Sequence, residues 1–236
     1  MESARVPNVR WRVAALLFAA TVINYVDRQT LSVLATEITT EFGLSNIEYS
    51  NILQAFLICY SGMYIVWGLL IDRWGTRVAL AVSITWWSLA NMAHAFVRGA
   101  IGLGVFRALL GAGEAGNFLA AEKAISEWFP ARERGFANGL VNAAAATGAI
   151  VAPPLIVFIY HQAGWRAAFL LTGATGFVWL YFWWRLYWIP SAHPRVTAEE
   201  RELIEGEPTE FRKKKHVRWR ELFRYRQTWG LFLTRV

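Results

Sequence analysis

The chain has 236 residues, 56% hydrophobic and 15% aromatic, with 17% charged side chains, a formal net charge of +7 and a mean hydropathy of +0.30. Its charges sit between long apolar stretches, which excludes an ordinary soluble domain, and no basic face interleaved with exposed aromatics precedes the last loop, which excludes a nucleic-acid partner. The single cysteine, Cys59, lies in an apolar run and leaves no internal disulfide to form.

A bilayer-crossing helix needs about 20 predominantly apolar residues. Six windows meet that need, at 12–36, 48–71, 78–97, 101–127, 136–160 and 167–189. The first is preceded by a short tail, Met1 to Asn8, and runs on through a polar cluster without a cleavage site, so it reads as a retained span. The connections are short and carry Trp74-Gly75, Arg98-Gly99, Phe129-Pro130 and Ala163-Gly164, which makes sequential spans antiparallel neighbours. Residues 1–189 are therefore expected to form a six-helix membrane bundle, 190–226 a cytoplasmic loop, and 227–236 the opening of a seventh span cut short.

Lysine and arginine placement sets the orientation. With a cytoplasmic N-terminus the inner side receives Arg5, Arg10, Arg12, Arg73, Arg77, Arg132, Arg134 and the loop after Pro190, while the outer side receives Arg98 and Arg166. Glu37, Glu41 and Glu48 fall in the first outer loop. The aromatic belt Trp179, Trp183, Trp184, Tyr187 and Trp188 is expected at the inner interface, with Arg185 snorkelling toward headgroups. In the loop, Thr197 to Glu200 reads as a capping box opening a short polar helix, and Arg212 to Lys215 as a basic run attracted to anionic lipids.

A charge near the centre of a span costs about 2.5–3.5 kcal/mol on insertion scales, so such residues face a cavity or one another. The first span holds Asn24, Tyr25, Asp27, Arg28 and Gln29 near its midpoint, and the fourth holds Arg107 and Glu114. Gly104 and Gly111 share the face of Arg107 and Glu114, and Asn117 extends it by a turn, so two polar stripes are expected to line one cavity. Two readings stand: ion pairs that only fix packing, or arginines that attract an anion while the acids take up protons. Ser88, Asn91 and His94 in the third span read as helix–helix hydrogen bonding, Gln54 and Tyr60 in the second as within reach of the cavity, and Pro153-Pro154 as a kink in the fifth. No paired metal motif, nucleophile elbow or phosphate-cradling loop is present, so an enzyme is not expected and no metal or organic cofactor is called for.

The run Gly68-Leu-Leu-Ile-Asp72-Arg73-Trp74-Gly75-Thr76-Arg77 resembles the loop signature of the major facilitator superfamily. Asn24-Tyr-Val-Asp-Arg28, Arg107 with Gly111-Ala-Gly-Glu-Ala-Gly-Asn-Phe118, Lys123, and Glu127-Trp-Phe-Pro-Ala-Arg-Glu-Arg134 resemble its anion:cation symporter branch, and its hexuronate transporters above all. The resemblance covers the whole chain as the first half of that fold: an all-α membrane protein, the N-terminal six-helix bundle of twelve, built from 3+3 inverted repeats, in a bacterial inner membrane.

It implies a proton-coupled carrier importing a hexuronate or related sugar acid, with protons as the coupling ion. It assigns proton coupling to Asp27, Glu114 and Arg107, substrate contact to Tyr25, Arg28 and Tyr60 with Asn117 on the same stripe, and gating to Gly68, Asp72, Arg73, Gly75 and Arg77. Asp72 ends a helix at the pole unfavourable to an anion and so calls for a partner such as an arginine or a helix N-terminus. The implied partners are a small anionic substrate, membrane lipids and a missing C-terminal half. Carriage of an aldarate or aldonate, and a nontransporting sensor of the same fold, remain as alternatives.

Overall fold

The computed structural model describes residues 8–206. Within them the chain runs α1 (Val9–Val33), α2 (Ala35–Phe42), α3 (Asn46–Ala93), α4 (Ala100–Glu114), α5 (Gly116–Trp128), α6 (Ala131–Leu186) and α7 (Ala198–Glu205), with two short 3₁₀ turns and no strand among the described residues. The basic run at 212–215 and the start of the seventh span lie outside the described residues.

By length and composition α1, 46–96 and 131–186 qualify as membrane-crossing. At about 1.5 Å per residue, helices the length of α3 and α6 would be more than twice as long as a bilayer is thick. Each turns back at one glycine in the left-handed region, Gly75 (φ 76°) in α3 and Gly164 (φ 80°) in α6. No atom would meet a Cβ at either position, so it is the backbone angle that demands glycine there.

The side chains confirm both reversals. Trp67, before Gly75, donates to the Ala112 carbonyl, and Ser83, after it, donates to Gly113. Gly148, before Gly164, packs on Val22, while Trp179, after it, donates to Leu16 of the same helix. The halves of α3 are thus the second and third spans and those of α6 the fifth and sixth. The fourth is α4 continued by α5 across a turn at Ala115, and α1 is the first.

Small residues set the distances between spans. Gly113 lies against Trp86 and Trp87, Gly116 against Ser83 and Trp67, and Gly173 against Ser88 and Met92, so each glycine admits a neighbour that a larger side chain would hold off.

The expected aromatic belt divides in two. Trp179, Trp183 and Tyr187 recur at i, i+4 and point into the bundle, with Trp183 stacked 4.9 Å from Trp179 and 3.9 Å from Tyr187. Trp184 and Trp188, one position on, face outward as the belt requires. The one-residue offset turns the side chain by about 100° and decides which role each ring takes.

α7 forms as the expected short polar helix, but its capping box is only half made. Thr197 Oγ1 accepts from the Glu200 amide, but the Glu200 side chain does not close the box. It is wholly buried against α1, accepting from the Val9 amide at 3.3 Å and the Arg10 amide at 3.1 Å, so it caps a helix whose own Asn8 makes no side-chain cap. Arg10 then bridges Glu200 (3.3 Å) and Glu133 (2.8 Å), tying α7, α1 and the start of α6.

Without Glu200, Arg10 keeps Glu133 but the buried Val9 and Arg10 amides lose their acceptor, at a cost of about 1–3 kcal/mol each. Glu200→Ala is therefore expected to undock α7, read as faster limited proteolysis after Arg195 and Arg201 in detergent-solubilised protein, with Glu199→Ala unchanged.

Candidate functional site

Consecutive residues of a helix point about 100° apart, and at the centre of α1 that separates two charges. Arg28 turns toward α4, where its Nε donates to Glu114 Oε2 at 2.9 Å and its Nη2 lies 2.7 Å from the same oxygen. Glu114 is fully buried, while the Arg28 side chain keeps 28% of its surface open. Three rings surround that guanidinium, with Cζ 5.0 Å from the Tyr25 centroid, 4.9 Å from Phe56 and 5.0 Å from Tyr60. The pair is a caged cation with one accessible edge.

Arg107 completes the group from α4. It is buried, donates Nη2 to the Arg28 carbonyl at 3.0 Å and lies over the Phe56 ring at 5.5 Å. Glu114 Oε1 makes no hydrogen bond within the described residues, though Asn24 faces the same carboxylate. Two guanidinium groups against one carboxylate leave a positive locus facing the open side of Arg28, and that arrangement attracts an anion.

Asp27 points elsewhere. Its carboxylate is fully buried between the first, third and sixth spans, where Asn91 Nδ2 donates to Oδ1 at 2.8 Å. The same amide is 2.8 Å from Thr172 Oγ1 and 3.3 Å from the Phe169 carbonyl, and the Phe169 ring stacks on His94 at 5.0 Å. The two polar stripes therefore diverge: Arg28, Arg107 and Glu114 meet in one cluster, while Asp27 occupies an adjoining interhelical one. Asn117 is buried as well, donating to Thr21 Oγ1 at 3.2 Å across the first and fourth spans.

Sequence reasoning assigned Asn91 to helix–helix bonding but did not join it to Asp27, and it missed Phe56 and Thr172. The i, i+4 spacing of Phe56 and Tyr60 was the available signal for one; Thr172, alone in an apolar run, offered none.

The segment from Gly68 to Arg77 turns at Gly75. Asp72 is exposed and pairs with Lys123 of the fourth span at 2.7 Å, and the same ammonium donates to the Ile71 carbonyl at the end of the second span. One cation thus answers both the carboxylate and the negative pole of the helix. Thr76 donates to Glu127 at 3.0 Å, and Tyr187 donates to the other Glu127 oxygen at 3.0 Å. Arg77 donates to the Trp184 carbonyl at 2.8 Å and stacks 3.7 Å from the Trp188 centroid. Arg73 is exposed, and Gly68 has open space where a Cβ would stand.

Comparison with known proteins follows the same lines. The model of the family described as Major Facilitator Superfamily matches residues 17–236. The chain is 34% identical to a hexuronate transporter of Escherichia coli (strain K12) over 234 residues, covering 98% of this chain and 54% of that protein. It is 34% identical to a galacturonate transporter of Dickeya chrysanthemi over 235 residues, covering 98% of this chain and 68% of the relative. The chain thus spans about half to two-thirds of the length of these relatives. Among solved structures it superposes on a bacterial homolog of the human lysosomal transporter Spinster, inward-facing and unoccupied, with a TM-score of 0.73 at 21% identity over 78% of this chain and 44% of that one.

Close approach of the fifth span fixes the first beneath Tyr25: a Cβ on Gly148 would stand 2.7 Å from Tyr25 Cβ and 2.8 Å from the Val22 carbonyl, whereas one on Gly139 would meet nothing within 4 Å. Overpacking costs about 1–3 kcal/mol. Gly148→Val is expected to lower the thermal unfolding midpoint in detergent, and Gly139→Ala to leave it unchanged or raise it slightly.

Proposed function

From the premise that this chain belongs to the major facilitator superfamily, we propose that it forms the six-span half of a proton-coupled carrier that imports a hexuronate or related sugar acid by alternating access. The observation that carries the reading is the partly exposed Arg28, caged by Tyr25, Phe56 and Tyr60 and held by a fully buried Glu114.

A substrate carboxylate approaching the open edge of Arg28 competes with Glu114 for the same guanidinium. A charge-assisted hydrogen bond contributes about 1.5–3 kcal/mol, so the exchange is energetically close to balanced. A carboxylate deprived of its counter-charge inside the bundle is stabilised by taking a proton. Loading of the anion and protonation of Glu114 are then one linked equilibrium, and linkage makes each favour the other.

Arg107, on the Arg28 carbonyl and beside Glu114, keeps the locus positive through that exchange. Tyr25 and Tyr60 offer hydroxyls and ring faces suited to a sugar, which favours a sugar acid over a smaller organic anion. Asp27 is the second proton carrier, its state communicated to the third and sixth spans through Asn91 and Thr172. Asn117 supports the fourth span from behind the cavity. Gly68, Asp72, Arg73, Gly75 and Arg77 form the gate at the cytoplasmic end, with Lys123 as the partner of Asp72. The names of the two curated relatives, hexuronate and galacturonate transporters, support the substrate class.

The test is proton-gradient-driven uptake of labelled glucuronate and galacturonate into liposomes holding the complete polypeptide that carries this segment. Asp27→Asn and Glu114→Gln are expected to reduce gradient-driven uptake to that of empty vesicles. Arg28→Gln is expected to weaken substrate binding about tenfold or more. Unimpaired gradient-driven flux in the two acid variants would remove the proton assignments, and competition by aldarates but not hexuronates would reassign the substrate.

A further inference from the structure

At the end of the bundle where α1 begins and α6 ends, the 193–195 turn folds back and closes a pocket of about 210 Å³. Three arginines line it: Arg12 from the first turn of α1, Arg185 from the last turn of α6, and Arg195 from the turn itself. The remaining wall is apolar, formed by Val13, Leu16 and Trp188 among others.

No ion pair among the described residues joins a carboxylate to any of the three. Glu200, the acid that acts on His193 in the pocket wall, is held by Arg10. His193 forms part of the wall, with Nε2 3.3 Å from the Leu186 carbonyl. Burial holds this imidazole below its ordinary value, opposed by the Leu186 carbonyl and Glu200 and reinforced by the positive charges of Arg195 and Arg12. Both guanidinium groups therefore act on one small volume.

The three arginines are exposed to solvent, and like charges lining one recess make it attractive to an anion. A soluble anion would use the arginines and leave the apolar wall idle. The recess also lies at the water boundary of the spans, marked by exposed Trp184 and Trp188 and by Arg185 over the Tyr181 ring at 5.3 Å. A ligand whose phosphate ester is joined directly to hydrocarbon uses both parts of the recess at that depth, and basic pockets between spans at this level suit such head groups.

We propose that this pocket binds an anionic phospholipid, its phosphate held by Arg12, Arg185 and Arg195 and its acyl chains laid along Val13 and Leu16 of the first span. A zwitterionic lipid brings an ammonium group that three guanidinium groups repel, so the site discriminates by head-group charge. Bound there, the lipid bridges the first span, the sixth span and the turn that leads to α7, beside the Glu200 clasp, with Val9 common to both.

The experiment is native mass spectrometry of the purified full chain in mild detergent, titrated separately with dioleoyl phosphatidylglycerol, dioleoyl phosphatidylcholine and sn-glycerol 1-phosphate. One phosphatidylglycerol is expected to be retained in preference to phosphatidylcholine. Arg12→Gln, Arg185→Gln and Arg195→Gln are each expected to weaken that retention about fivefold. Lysine at the same three positions is expected to preserve most of it, and Arg98→Gln at the opposite end to leave it unchanged. Equal retention of the two lipids, or undiminished phosphatidylglycerol binding by the triple glutamine variant, would overturn the proposal. Glycerol phosphate binding as tightly as the lipid would overturn it too, by assigning the pocket to a soluble phosphate.

Discussion

The ion pair between Arg28 and Glu114 is the constraint around which the rest of the bundle is arranged. Two opposite charges at bilayer depth persist only if each satisfies the other and the surroundings supply further partners. Here the carboxylate is enclosed, the guanidinium is stacked among three rings, and a second arginine lies behind it. Because the accessible edge belongs to the cation, what enters from that side meets positive charge first.

The spans around the pair approach more closely than large side chains would allow. Gly111, Gly113 and Gly116 bring the fourth span onto the second and third, Gly148 brings the fifth onto the first, and Gly173 and Gly176 bring the sixth onto the third. Close packing of this sort supplies dispersion contact where no hydrophobic drive exists between helices in lipid. Gly116 leaves room for the indole of Trp67, which reaches the Ala112 carbonyl on the fourth span, so a polar cross-link accompanies the packing.

Hydropathy made the six spans legible, because a bilayer imposes a length on every crossing element. Gly75 and Gly164 were readable as turns from the punctuation around them. Arg28, Arg107 and Glu114 stood out because their insertion cost demands an explanation. The partners were harder to read. That Asp27 faces away from Arg28 follows from helix geometry, but which span would receive it depends on how α3 and α6 dock, and Asn91 and Thr172 carry no charge to announce themselves. Glu200 was misleading for a local reason: Thr197 and Glu200 have the spacing of a self-contained cap, and a tertiary partner, the exposed amides opening α1, took the carboxylate instead.

The ties at the two ends bear on how such a bundle can move. At one end Lys123 joins the second span to the fourth through Asp72, Glu127 joins the third, fourth and sixth through Thr76 and Tyr187, and Arg10 joins the first and fifth to α7. At the other end Glu41, which follows the first span, pairs with Arg166 of the sixth and accepts from Trp165. Opening a path by spreading these six spans would break buried or cross-linked contacts at both ends together. Rocking the whole bundle against a second body would leave them intact.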